Sequence, residues 1–246
     1  HHGTTNAEGI VLLKLSGRGP LNLLGRESFL KLNALLNQLQ HDPKIRAVII
    51  AGAGDRAFSA GVDLLEMKEF TALEAESFIR VIHQSARKLL TLAVPTIAAI
   101  QGPCLGGALE LALACDIRIA TEDALLGLPE VRVGVPSVIE ASLLPLTIGL
   151  GRARNLLLTG DTIDAQRSLE IGLVDRLTPN DRLLGEAYQS AQPFYGINRD
   201  VLTSQKDIVA KWLELSEERS AEYSIQAFAR GFASPNPKEA MEAFLE

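Results

Sequence analysis

Gly102-Pro103-Cys104-Leu105-Gly106-Gly107-Ala108-Leu109-Glu110 decides how this chain is read. A glycine pair opens an apolar helical run, and a carboxylate sits one turn into it. Glycine leaves room for a ligand to approach the backbone closely. The first amides of a helix have no intrahelical acceptor and point outward with partial positive charge. They suit an oxygen that gains negative charge during a reaction, and Glu110 can move a proton beside it. Its neighbours Ala108, Leu109, Leu111, Ala112, Leu113 and Ala114 are apolar, so a carboxylate there is costly without a partner or a task.

Outward from that stretch, strands and helices alternate. Apolar runs predict strands at Ile10–Leu15, Arg46–Ala51, Thr96–Ile100 and Asp116–Ala120. Helical spacing predicts helices at Arg26–Leu39, Leu73–Leu92, Gly106–Ala114 and Ala165–Ile171, the last capped by Gly172 before a strand at Leu173-Val174. Beyond Asp181 strand signals vanish. Leu183–Gln192, Val201–Gly231 and Lys238–Leu245 read as helices, broken at Ser234-Pro235-Asn236-Pro237. The expected division is an α/β core over 4–181 and a helical region over 182–246. The opening His1-His2-Gly3 is read as a tag remnant outside the fold.

Composition narrows the function. The chain has 246 residues, is 47% hydrophobic and 22% charged, and carries a net charge of −6. It reads as globular, with no general attraction for nucleic acid or an anionic membrane. No apolar run is long enough to span a bilayer. Cys104 and Cys115 have no metal-ligand or disulfide spacing and read as small core residues, which fits a reducing cytoplasm. His41 and His83 are too few and too separated for a metal site.

Two further motifs matter. Ala57-Phe58-Ser59-Ala60-Gly61-Val62-Asp63-Leu64 follows a buried strand and leaves backbone amides accessible. Asp63 can equally be a helix cap. An oxyanion hole takes two donors from different segments, and here are two such segments. Glu130 follows Leu126-Gly127-Leu128-Pro129, and a helix, a returning strand and a turn between Glu110 and Glu130 can bring the carboxylates face to face. Burial and repulsion would then keep one ionised as base and the other protonated as acid. Gly52-Ala53-Gly54 makes a poor dinucleotide fingerprint, because the third glycine is absent and Asp55 would repel phosphate.

Together, Ala57–Leu64, Gly102–Asp116 and Pro129-Glu130 resemble the enoyl-CoA hydratase/isomerase (crotonase) superfamily, from about Ile10 to Leu183. The resemblance implies a spiral of β-β-α units with a C-terminal helical region used for assembly into a homotrimer or dimer of trimers. It implies an acyl-CoA thioester substrate of fatty-acid metabolism, with no cofactor beyond the CoA of the substrate. Its oxyanion hole would be the amides of Val62 and Gly107, with Glu110 and Glu130 as the catalytic pair. Ala60, Asp63, Leu64, Leu65 and Gly106 would line the substrate path. In the mechanism so implied, Glu110 is base toward a water and Glu130 supplies the α-proton. The helix dipole beginning near Gly107 would favour the enolate-like charge.

Two departures stand out. Ala108 replaces a third glycine, and Ser137-Val138-Ile139-Glu140 replaces a glycine-rich segment after Pro136. The second reshapes the acyl pocket and makes Glu140 either a third acid or a helix-start glutamate. Three readings follow: a hydratase, a Δ3,Δ2-enoyl-CoA isomerase or other crotonase-type enzyme, and a non-catalytic acyl-CoA-binding scaffold. Lys206 and Lys211 are candidates for the CoA phosphates.

Overall fold

Parallel strands buried on both faces form the centre of the molecule, which is described from a computed structural model covering residues 2–6, 8–234 and 236–245. His1, Pro235 of the expected break and Glu246 lie outside the described residues. The strands are β1 (His2–Thr5), β2 (Ile10–Leu15), β3 (Ala47–Gly52), β4 (Thr96–Ile100), β5 (Pro103–Leu105), β6 (Ile117–Thr121), β7 (Leu125–Gly127), β8 (Thr162–Asp164) and β9 (Arg176–Thr178). The helices are α1 (Arg26–His41), α2 (Leu64–Met67), α3 (Ala72–Leu90), α4 (Gly107–Leu113), α5 (Leu144–Ile148), α6 (Leu150–Thr159), α7 (Ala165–Glu170), α8 (Leu183–Ala191), α9 (Arg199–Glu214), α10 (Glu217–Gly231) and α11 (Asn236–Leu245). Short 3-10 turns at Pro129–Val133 and Ile139–Leu143 border the site described below.

The main sheet runs β1-β2-β3-β4-β6-β9, parallel from β2 to β9, with β1 antiparallel on its edge. A second sheet, β5-β7-β8, lies alongside. Isolated bridges Ser59↔Cys104 and Leu24↔Val62 extend this second layer toward the chain's start. Each turn therefore lays one strand in each layer and then a helix: β4-β5-α4, and β6-β7 followed by the turn at Pro129–Val133. This is the expected β-β-α spiral.

Alternation along β3 fills two cores. Val48 and Ile50 face the core shared with α1, α3 and α4, while Ala47, Ile49 and Ala51 face the other side. On the first side Phe78, Ile82, Ala86 and Leu89 form the buried stripe of α3, and Phe78 meets Phe29 of α1 edge-on at 5.9 Å. Thr71 and Glu74 close a capping box at the start of α3. On the second side Leu183, Ala187 and Ala191 of α8 complete the core. The helical region is thus not separate from residue 182 onward; α8 is part of the sheet's cover, and α9–α11 follow it.

Three sequence expectations need correcting. Residues 2–5 pair with β2 and join the fold. The expected strand at Leu173-Val174 is a turn, and pairing begins at Arg176. Val201–Gly231 is two helices, because Leu215 and Ser216 adopt extended backbone and send α10 back along α9. Trp212 Nε1 then donates to Ser224 Oγ at 3.0 Å across that pair.

Candidate active site

Loop 57–63 and the start of α4 meet where the second-layer strands end. Gly61 has φ +100°, and a Cβ there would lie 2.8 Å from the Leu105 carbonyl oxygen. A Cβ on Gly107 would lie 3.4 Å from Val62 Cγ1. Among the described residues, neither the Val62 nor the Gly107 N–H has a backbone acceptor. Both expected oxyanion donors therefore stand free on adjacent segments. α4 spans only Gly107–Leu113, so individual amides, more than a long helix dipole, supply the field.

Residues upstream stitch the first loop into place. Asn22 Nδ2 donates to the carbonyls of Ala53 and Ala57 at 2.8 and 3.0 Å. The Ala60 N–H donates to Leu21 O at 2.9 Å. Ser59 Oγ donates to Asn22 O at 2.7 Å and accepts from the Gly61 N–H at 3.1 Å. Asp63 accepts from Arg18 at 2.5 and 2.7 Å and from the Leu65 N–H at 3.0 Å, capping α2. The Arg18 hydrogen bond holds the Asp63 carboxyl below its ordinary range. Asp63 thus takes the capping role and shapes the loop, while Leu64 and Leu65 remain exposed. None of the stitching residues at 18–24 stood out in the sequence, since their partners are distant in the chain.

Every residue of α4 is buried, Glu110 included, at 4% exposure. Gly106 joins the two acids: its carbonyl accepts from the Glu110 N–H at 3.1 Å, and a Cβ on it would lie 2.9 Å from Glu130 Oε1. Glu110 Oε1 accepts from the Ala141 N–H at 3.1 Å. Burial, then the charge of Glu130, pushes the Glu110 carboxyl up to about 8 against the Ala141 hydrogen bond. Burial also raises Glu130, but the Ser137 hydroxyl donates to its Oε2 at 2.8 Å and opposes the rise. Burial thus raises both carboxyls, and the pair holds one proton between them.

The replaced segment contributes more than bulk. Ser137 supplies the Glu130 donor, and Glu140 is a buried third acid paired with His83 Nδ1 at 2.8 Å. Exposed Val138 on this segment and Val131, Val133 and Val135 before it, with Leu64 and Leu65, give the neighbourhood an apolar surface. Lys206 is ruled out for the CoA phosphates, because its Nζ donates to Leu89 O, Val94 O and, at 2.6 Å, Asp116. Lys211 pairs with Glu214 at 2.6 Å. Among the described residues no cluster of His, Cys, Asp and Glu could hold a metal ion.

The family described as enoyl-CoA hydratase/isomerase matches residues 5–246. The chain belongs to that family. It is 32% identical to the short-chain-enoyl-CoA hydratase of Clostridium acetobutylicum, covering 96% of this chain and 91% of that protein. It is 32% identical to the crotonyl-CoA hydratase of Syntrophomonas wolfei, covering 97% and 92%. A solved enoyl-CoA hydratase from Bacillus anthracis superposes with a TM-score of 0.92 at 29% identity, covering 99% of this chain and 96% of that one.

Proposed function

We propose that this enoyl-CoA hydratase/isomerase family member is a hydro-lyase that adds water across the 2,3 double bond of a trans-2-enoyl-CoA. The observation that carries the reading is the pair of acids, Glu110 and Glu130, held around Gly106 beside the free amides of Val62 and Gly107. The thioester oxygen accepts from both amides, which draws electrons from the double bond and makes C3 electrophilic. Ionised Glu110 takes a proton from the water as its oxygen bonds to C3. Protonated Glu130 gives its proton to C2. The pair holds one proton before and after the addition. Ala60, Leu64, Leu65 and Gly106 border the path of the CoA arm, and Asp63 keeps that loop in shape.

This chemistry calls on no metal and no redox cofactor, and CoA arrives with the substrate. The reading extends to a homotrimer or dimer of trimers, supported by exposed Trp212, Ile225, Phe228 and Phe244 on α9–α11 and Phe232 just past α10. It extends also to a cytoplasmic role in fatty-acid β-oxidation. No described helix is long and apolar enough to cross a membrane, and the two buried cysteines are unpaired.

A panel of acyl-CoA thioesters tests the reading. Loss of the conjugated thioester absorbance with crotonyl-CoA or a longer 2-enoyl-CoA is the expected result. Double-bond migration in 3-enoyl substrates without hydration would make it an isomerase. Tight binding without turnover would make it a scaffold.

A further inference from the structure

Segment 137–141 runs from one acid of the pair to the other: Ser137 donates to Glu130 Oε2 at 2.8 Å, and the Ala141 N–H donates to Glu110 Oε1 at 3.1 Å. With the thioester oxygen at Val62 and Gly107 and the acids over C2 and C3, this segment borders the acyl chain from C4 onward. Three side chains fill the span between the two contacts. Val138 is exposed and Ile139 half-buried, and both are apolar. Glu140 is 4% exposed, and the proposed reaction makes no use of its carboxyl. Its turn packs on both α3 and α4. Ile139 has φ +45°, which a β-branched residue keeps only when its surroundings enforce it, so the inward course of Glu140 is built into the turn. His83 Nδ1 of α3 holds Glu140 Oε1 at 2.8 Å. Glu140 Oε2 is buried, and no donor among the described residues reaches it.

A carboxylate oxygen buried without a donor is costly, and an apolar wall with one placed acceptor is how a pocket orients and selects a ligand. We propose that Glu140 is the specificity residue of the acyl pocket: its Oε2 accepts a hydrogen bond from a hydroxyl carried on the acyl chain beyond C3, so hydroxylated enoyl-CoAs are preferred over plain alkyl ones of the same length. His83 fixes the carboxyl by its other oxygen and leaves Oε2 for the substrate. The charges nearby decide the kind of donor. His83 is engaged by Glu140 and Arg87 by Glu214 at 3.1 Å, so an acyl chain ending in a carboxylate would meet paired cations and a like charge. A hydroxyl reaches Oε2 without bringing a second charge to be buried. The proposal rests on the hydratase reading for the placement of C2 and C3 over the acids.

Steady-state kinetics of the full-length protein compares 2-hexenoyl-CoA with its 4-, 5- and 6-hydroxy derivatives. At least one hydroxylated thioester should exceed the alkyl one ~10-fold or more in kcat/KM. In Glu140→Leu that advantage should vanish while the alkyl substrate keeps its wild-type kcat/KM within ~3-fold. Glu140→Gln keeps the shape and loses the charge, and should cut the advantage at least ~3-fold. Equal kcat/KM across the wild-type panel overturns the proposal, as does an advantage that survives in both variants. A parallel loss on all four substrates with their ratios unchanged also overturns it, because Glu140 then serves only the fold. Should the wild type hydrate none of them, the hydratase reading fails by itself, and calorimetric affinities for the same four thioesters decide the role of Glu140 by the same ratios.

Discussion

Glu130 Oε1 lies so close to Gly106 that a Cβ added there would come within 2.9 Å of it. Gly106 also has φ +55°, a conformation that L side chains rarely adopt. Gly106→Ala should therefore push the Glu130 carboxylate aside without dismantling the core. The expected result is a loss of ~10²-fold in kcat, with the far-ultraviolet circular dichroism of wild type.

Gly61 makes the corresponding contact on the other loop, except that its Cβ would meet backbone, the Leu105 carbonyl, at 2.8 Å. Backbone cannot swing away as a carboxylate can. Gly61→Ala should separate the Val62 and Gly107 amides and cost about 10² to 10³ in kcat, the usual price of one oxyanion donor. Steady-state kinetics with crotonyl-CoA checks this.

The single shared proton predicts a bell-shaped pH profile for kcat/KM. The alkaline limb should fall near pH 8 as the pair loses its shared proton, and the acid limb as the pair takes up a second. Ser137→Ala removes the hydroxyl that favours ionised Glu130. Its profile should move to higher pH.

Keeping Glu110 inside the protein costs stability. A carboxyl whose folded pKa is raised contributes fully below the unfolded value of 4.5, and that contribution is lost as pH climbs toward about 8. Glu110→Gln removes the penalty. The variant should match wild type near pH 4 and exceed it by roughly 1–3 kcal/mol near pH 8 in urea unfolding.

Much of this was legible in the sequence, for physical reasons. Buried parallel strands are continuous apolar runs, so β3 and β4 stood out, and the stripe of Phe78, Ile82, Ala86 and Leu89 announced α3. The second layer did not stand out, because β5, β7 and β8 have three residues each, too few to show a period. Glu110 betrayed itself by its apolar neighbours. His83 and Ser137 gave no such sign, since each matters only through a carboxylate brought to it by the fold. Lys206 misled for the same reason: its partners Leu89, Val94 and Asp116 are distant in the chain. The raised carboxyls of Glu110 and Glu130 depend on burial and on one serine hydroxyl, which spacing does not encode.

The most direct test is the rate of crotonyl-CoA hydration by wild type, Glu110→Gln and Glu130→Gln at neutral pH. Each substitution should cut kcat by about 10² to 10⁴, with circular dichroism unchanged. Should either variant hydrate the substrate at the wild-type rate, two acids sharing one proton cannot be how this protein adds water.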